Sequence, residues 1–215
     1  YHQKVAAFLN QIYFKTYHGL TLTHEMKLMI AGHACLLTLN KGDRHFRKLH
    51  SVHIMPEAFV QEQGQAHGVS HHNVHGVSFE NGKVVLAWNA TENGAKNHFD
   101  GKNVALHEFS HQFDQEDGNA DGVPIDVEPH KMAEWAHFMS DGFKTIKRRS
   151  KKKRRQMIDK YGETSPAEFF AVLTETFFEK GIHLKRKYPD LYQLMQDYYG
   201  LDTASWNTHH PSNNK

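Results

Sequence analysis

The sequence predicts an α+β domain, mostly helical with a small sheet, and three observations carry that prediction. Long stretches repeat apolar residues at three- and four-residue spacing, the period of amphipathic helices. Two short segments, "SVHIMP" and "KVVLAW", are rich in β-branched and aromatic residues and are bounded by Pro56 and by Asn81-Gly82, as strands are. With 39% hydrophobic residues, including 14 Phe, the 215-residue chain can bury one core, and 23% charged residues is too few for a disordered chain.

The elements follow in order. Residues 1–50 read as a helical N-terminal part. "KVAAFLNQIYFKTY" places Val5, Phe8, Leu9, Ile12 and Tyr13 at helical spacing. "TLTHEMKLMIAGHACLLTLN" offers Thr23 as an N-cap and sets Leu28, Met29, Ala31 and Cys35 along one side. Between the two strands, "QEQGQAHGVSHHNVHGVSF" is polar and glycine-rich and reads as a loop or irregular hairpin. Its histidines, His67, His71, His72 and His75, fit no single helix or strand face, so they are expected to be exposed loop residues rather than a second metal site.

Composition excludes several classes. The single cysteine, Cys35, rules out an intramolecular disulfide framework and sits in an apolar stretch that suits an inert buried thiol. The most apolar run, "LMIAGHACLLTL", is too short to span a membrane and is broken by Gly32 and His33. A chain that opens on Tyr1 rather than Met is expected to have lost upstream residues. The expected location is the cytoplasm, with a membrane anchor on those residues as the alternative. Net charge is +2, yet "KRRSKKKRR" at 147–155 holds eight basic residues, leaving 18 basic against 24 acidic elsewhere. Such a run suits a polyanion or an acidic partner; a solvated helix surface is the plainer reading.

The chemistry concentrates in "HEFSHQFD", residues 107–114. With 19 histidines in the chain, a chance HExxH match is expected about 0.1 times, so the motif needs its context. "DGKNVALHEFSHQFD" has that context: Asp100 can cap a helix whose Val104, Ala105, Phe109 and Phe113 form an apolar side. Four residues apart, His107 and His111 share a face and can converge on one ion. Glu108 lies a quarter turn round, close enough to reach a water on that ion without ligating it. Asp114 shares the histidine side, either to orient an imidazole or as a surface acid.

Zinc held by two histidines needs a third protein ligand and keeps a position open. "YGETSPAEFFAVLTETFFEKG" supplies two acids on a second helix, with Ser165 as cap, Pro166 at its first position, and Phe169, Phe170, Val172, Leu173, Phe177 and Phe178 making it largely buried. Glu168 and Glu175 are seven apart and face one side. Glu168 also fits a capping box with Ser165. Spacing alone leaves both as candidates.

"VVLAW", "NVALHEFSHQFD", "DGVP" and "SPAEFFAVLTETFFE" together resemble the Mlc titration factor A family of zinc peptidases, whose catalytic core is similar to lethal-factor-type metalloproteases. The resemblance runs from about Leu20 to Trp206, in several segments that agree in order. The basic run at 147–155 is no recognised part of the family pattern. The resemblance implies a zincin-like fold, a single metallopeptidase domain over 1–215, with a catalytic core at 51–206 and a polar tail at 207–215. It implies one Zn2+ per chain held by His107, His111 and Glu168, with Tyr161, seven residues before Glu168, stabilising the oxyanion. The implied activity is aminopeptidase-like hydrolysis of short peptides or exposed termini, by a zinc-bound water with Glu108 as general base. The segment "KVVLAW" is the expected sheet edge for an extended peptide. The family name implies an alternative: a binding protein that sequesters a transcriptional repressor, with the metal site subsidiary.

Overall fold

The computed structural model describes residues 1–42, 46–65, 68–151 and 157–206, and gives only the backbone of 61–65 and 68–72. In chain order the elements are α1 (His2–Gln11), β1 (Tyr13–Thr16), α2 (His24–Leu37), β2 (Ser51–Met55), β3 (Phe59–Gln65), β4 (Gly68–Val74), β5 (Gly76–Phe79), β6 (Lys83–Ala87) and α3 (Trp88–Lys96). They continue with α4 (Val104–Asp114), α5 (Met132–Lys151), α6 (Pro166–Glu179), α7 (Gly181–Lys187) and α8 (Pro189–Tyr199). The fold is α+β, mostly helical with a small sheet. None of the described helices is long and apolar enough to cross a membrane.

Local signals place most of the helices. Thr23 caps α2, accepting the Met26 N–H at 3.1 Å, and Ser165 caps α6, accepting the Glu168 N–H at 3.1 Å, with Pro166 in the first turn. The buried side of α2 is rotated from the expected stripe: Met26, Ile30, Ala31, Ala34, Cys35 and Leu37 face the core, whereas Leu28 is exposed. Burial pushes the Cys35 thiol up to about 11, which keeps it protonated and unreactive.

Three expectations are corrected. The segment expected to be one helix through Tyr13 ends at Gln11, and Tyr13–Thr16 becomes a strand. There Tyr13 donates its N–H to His50 and pairs in parallel with Ser51, so ladder hydrogen bonds override the local helical period. Of the two readings of the polar stretch the hairpin holds, but it is regular rather than irregular: β3 and β4 pair antiparallel in continuous register, and β5 follows. His71 and His72 lie on β4 and His75 is exposed after it; His67 lies outside the described residues. Most consequential, "KVVLAW" is not a sheet edge. The strand order is β1-β2-β6-β5, so β6 is interior and the edge beyond it is β5, antiparallel to β6 with Gly76 opposite Leu86.

The core explains why α4 and α6 sit where they do. Val52, Ile54, Val84 and Leu86 of β2 and β6 are fully buried, as are Phe109 and Phe113 of α4. Phe46 stacks on Phe113 with ring centroids 4.7 Å apart, and Phe8 meets Phe109 edge-on at 5.9 Å. On the far side of α4 lies α6, in which every residue except Pro166 and Glu168 is buried. Helix α4 is thus held between sheet and helix, and only its polar positions are left for chemistry.

The described part of the basic run forms the last turn of α5, where Lys147, Arg148 and Lys151 are exposed and complement the helix C-terminal dipole. Residues 152–155 lie outside the described residues.

Candidate metal centre

Asn103, not Asp100, caps α4: its side chain accepts the Leu106 N–H at 3.1 Å. The reason lies on α6. Glu179 accepts the N–H groups of Gly101 and Lys102 at 2.9 and 3.0 Å, and Glu175 accepts that of Asn103 at 2.5 Å. Three consecutive residues are therefore held out of the helix, and Asp100 turns to Lys102 and Asn97 instead. Burial pushes the Glu179 carboxyl up to about 7, against the hydrogen bonds it accepts.

From that start, α4 presents His107 and His111 on one face with their Nε2 atoms 3.3 Å apart. Glu168, at the start of α6, brings Oε2 to 2.9 Å from His107 Nε2 and 3.6 Å from His111 Nε2. Its capping box is half made, because Ser165 accepts the Glu168 N–H while the Glu168 carboxylate reaches across to α4. A tetrahedral zinc ion at about 2.1 Å from each ligand would separate ligand atoms by about 3.4 Å. The three separations, 2.9, 3.3 and 3.6 Å, bracket that figure, so the donor set fits one such ion, and these residues alone among those described form such a cluster.

Glu175 stands behind the first histidine, its Oε1 2.8 Å from His107 Nδ1. It is placed to orient the ring and fix its tautomer, which leaves Nε2 for an ion. The two acids that spacing could not separate therefore have different places. Charge reinforces the geometry. Burial disfavours a charged His107, but hydrogen bonds to Glu168 and Glu175 raise it well above the usual histidine range. Hydrogen bonds from both imidazoles hold Glu168 well below the usual carboxylate range despite burial. Three carboxylates around two imidazoles demand positive charge, from a proton or a divalent cation.

Glu108 is buried on the adjoining face, and burial raises its carboxyl above the usual range while both histidines oppose that rise. Tyr161 lies in a short 3-10 turn before α6, half exposed, with its ring 5.9 Å from that of His107. Burial, and then the nearby Glu168 and Glu108, push its phenol up to about 12, so it stays protonated.

Asp114 is no surface acid: it is fully buried, and its Oδ1 accepts the N–H groups of Gly122 and Val123 at 2.7 and 2.9 Å. Gly122 turns there at φ +80°, and any Cβ would fall 2.6 Å from the Pro166 carbonyl oxygen. This Asp114 contact braces the "DGVP" loop against the start of α6. Asp114 does not hydrogen-bond His111; both its Oδ2 and His111 Nδ1 are buried and have no hydrogen-bond partner among the described residues.

Sequence reasoning missed Glu179, although its i, i+4 spacing from Glu175 on a phenylalanine-rich helix was an available signal. It also missed how α4 meets the edge strand. Gln112 donates to Ser78 Oγ at 2.6 Å and to the Phe79 carbonyl at 3.1 Å, and Ser78 donates to Gln115 at 3.0 Å. No local pattern marks these contacts.

Comparison with known proteins gives the family. The sequence profile of the glucose-regulated metallo-peptidase M90 family matches residues 1–200. The chain is 34% identical over 205 residues to uncharacterized protein slr2042 of Synechocystis, covering 93% of this chain and 74% of that protein. It is 32% identical over 210 residues to Mlc titration factor A of Klebsiella pneumoniae strain 342, covering 93% and 77%. With Mlc titration factor A of Pectobacterium atrosepticum the identity is 31% over 217 residues, covering 94% and 79%. A family match over nearly the whole chain, with its histidines and glutamate gathered around one point, places this protein in the glucose-regulated metallo-peptidase M90 family.

Proposed function

We propose that this chain is a zinc-dependent, aminopeptidase-like peptidase of zincin-like fold, a single domain that hydrolyses short peptides or exposed termini. The observation that carries the reading is the convergence of His107, His111 and Glu168, with Glu108 buried beside them and Glu175 behind His107. A zinc ion held by those three ligands would supply Lewis-acid polarisation of a carbonyl and acidify water at the same centre. Glu108 then accepts the water's proton and returns it to the leaving amine. Glu175 keeps the His107 ring in place, and Tyr161 donates its phenolic proton in a hydrogen bond to the developing oxyanion.

The substrate strand would lie along β5. The His75 carbonyl accepts the Ala87 N–H, so by antiparallel alternation residues 75, 77 and 79 face β6, and Gly76 and Ser78 point their backbone groups outward. An extended peptide can add there as a strand.

Metal analysis of the purified protein, together with hydrolysis of a panel of chromogenic aminoacyl and blocked peptides, tests the reading. About one zinc per chain and turnover of unblocked aminoacyl substrates support it; a metal-free protein that turns over none of the panel overturns it. Replacing Tyr161 with Phe should lower kcat by about tenfold, one hydrogen bond of about 1.4 kcal/mol. A loss larger than that of a Glu108 variant would make Tyr161 the proton carrier.

A second reading follows from the relatives' name: capture of a transcriptional regulator, with the metal site subsidiary. Retention of Glu108 and of all three ligands favours hydrolysis, since pure capture needs none of them. For the basic run we propose only weak, salt-sensitive binding of polyanions. Replacing Lys151, Lys152, Lys153, Arg154 and Arg155 with Ser should leave hydrolysis of small uncharged peptides nearly unchanged. If the folded, metal-loaded variant lost that activity, the run would belong to the active site.

A further inference from the structure

Gly76 opens β5, the edge strand, and its backbone carries no demand for glycine: its φ is not among the positive ones. Space is what requires it. A Cβ at this position would lie 2.6 Å from both Cγ and Oε1 of Glu108 and 2.8 Å from its Cδ. Real Cβ atoms do not approach that closely, and the atoms met are the body of a buried carboxylate rather than the free tip of a surface chain. The strand cannot simply retreat. Two residues on, Ser78 is tied to α4 through Gln112 and Gln115, and the far side of β5 is paired to β6. Glu108 and Gln112 are spaced i and i+4 on α4 and Gln115 is its C-cap, so one side of the helix and its end carry both the general base and the anchors of the strand.

We infer that Gly76 is a positioning residue for the reaction: its missing side chain lets the edge strand lie in van der Waals contact with the Glu108 carboxylate, fixing the general base against the line along which substrate binds. The inference rests on the proposed role of Glu108. It assigns to Gly76 a function distinct from metal binding, since the three atoms nearest its added Cβ all belong to Glu108, which is not one of the proposed ligands. Any side chain at 76 must push the carboxylate aside, and displacement of a reacting group by about 1 Å costs on the order of 100-fold in rate.

The test is a double-mutant cycle on Gly76→Ala and Glu108→Asp, read both as kcat on the chromogenic panel and as the melting temperature of protein stripped of metal by a chelator. Gly76→Ala should bind zinc with wild-type stoichiometry, lower kcat by roughly 10- to 100-fold with a smaller change in KM, and lower the melting temperature. Aspartate is shorter by one methylene, so in the Glu108→Asp background the same Ala should cost much less in both readouts. Glu108→Ala should likewise restore most of the melting temperature lost by Gly76→Ala, with no activity needed to see it. Equal costs of Ala in all three backgrounds would overturn the inference, because they would mean that the added methyl does not meet residue 108. If Glu108→Gln instead retained full activity, the proposed role of Glu108 would fail, whereas the melting-temperature cycle would still judge the contact.

Discussion

Glu108→Gln should retain bound zinc and lose at least about 100-fold in kcat, the usual contribution of general acid–base catalysis. Glutamine matches glutamate in shape, so it keeps the close packing against Gly76 and leaves the two helix faces undisturbed. It cannot accept a proton. Glu108 is not near enough to the ligand set to be counted in it, so metal content should not move. Its burial lifts the carboxyl above the usual range, which makes it a stronger base than an exposed glutamate. Zinc analysis and steady-state kinetics on the same preparation decide the matter. Full activity in a zinc-loaded Gln variant would show that another group moves the proton.

Glu168→Ala should strip the metal, whereas Glu175→Ala should keep it with affinity lowered by roughly 10- to 100-fold, the usual effect of removing a partner that orients a ligand. The difference follows from which side of the imidazole each acid faces. Glu168 meets Nε2 of both histidines, and Glu175 meets Nδ1 of one and also holds the Asn103 N–H. If the proposed set holds the metal, losing Glu168 removes one of three protein ligands and leaves a site of two neutral imidazoles. Losing Glu175 frees the ring of His107 and the entry to α4, but the ligands remain. Titration with zinc against a competing chelator measures both variants, and the opposite ranking would make Glu175 the ligand.

Much of the helical structure was legible because it is written in local chemistry. Thr23 and Ser165 cap the helices that their side chains suggest, Pro166 opens α6, and the spacing of His107 and His111 puts them on one face of α4 whatever else the chain does. The candidate centre was also legible, in the sense that residue types and spacing limited the proposed third ligand to Glu168 or Glu175. Asp100 misled for the opposite reason. It has the right side chain in the right place, yet carboxylates from a helix about 75 residues later take the N–H groups that a helix start there would need.

What the sequence determined by itself is therefore the helices α2, α4 and α6 and most of α1, the HExxH pair and the short menu of acids, all of which depend on interactions within a turn or two. Only the tertiary structure decided which acid faces Nε2 and which faces Nδ1, that Tyr13–Thr16 leaves the helical pattern to join a sheet, that β5 and not β6 is the edge, and that Gly76 lies against Glu108. Each of these is a contact between segments far apart in the chain. Periodicity reports which face of an element is apolar, but not which partner will cover it, because that choice is made by long-range packing and hydrogen bonding that no single segment encodes.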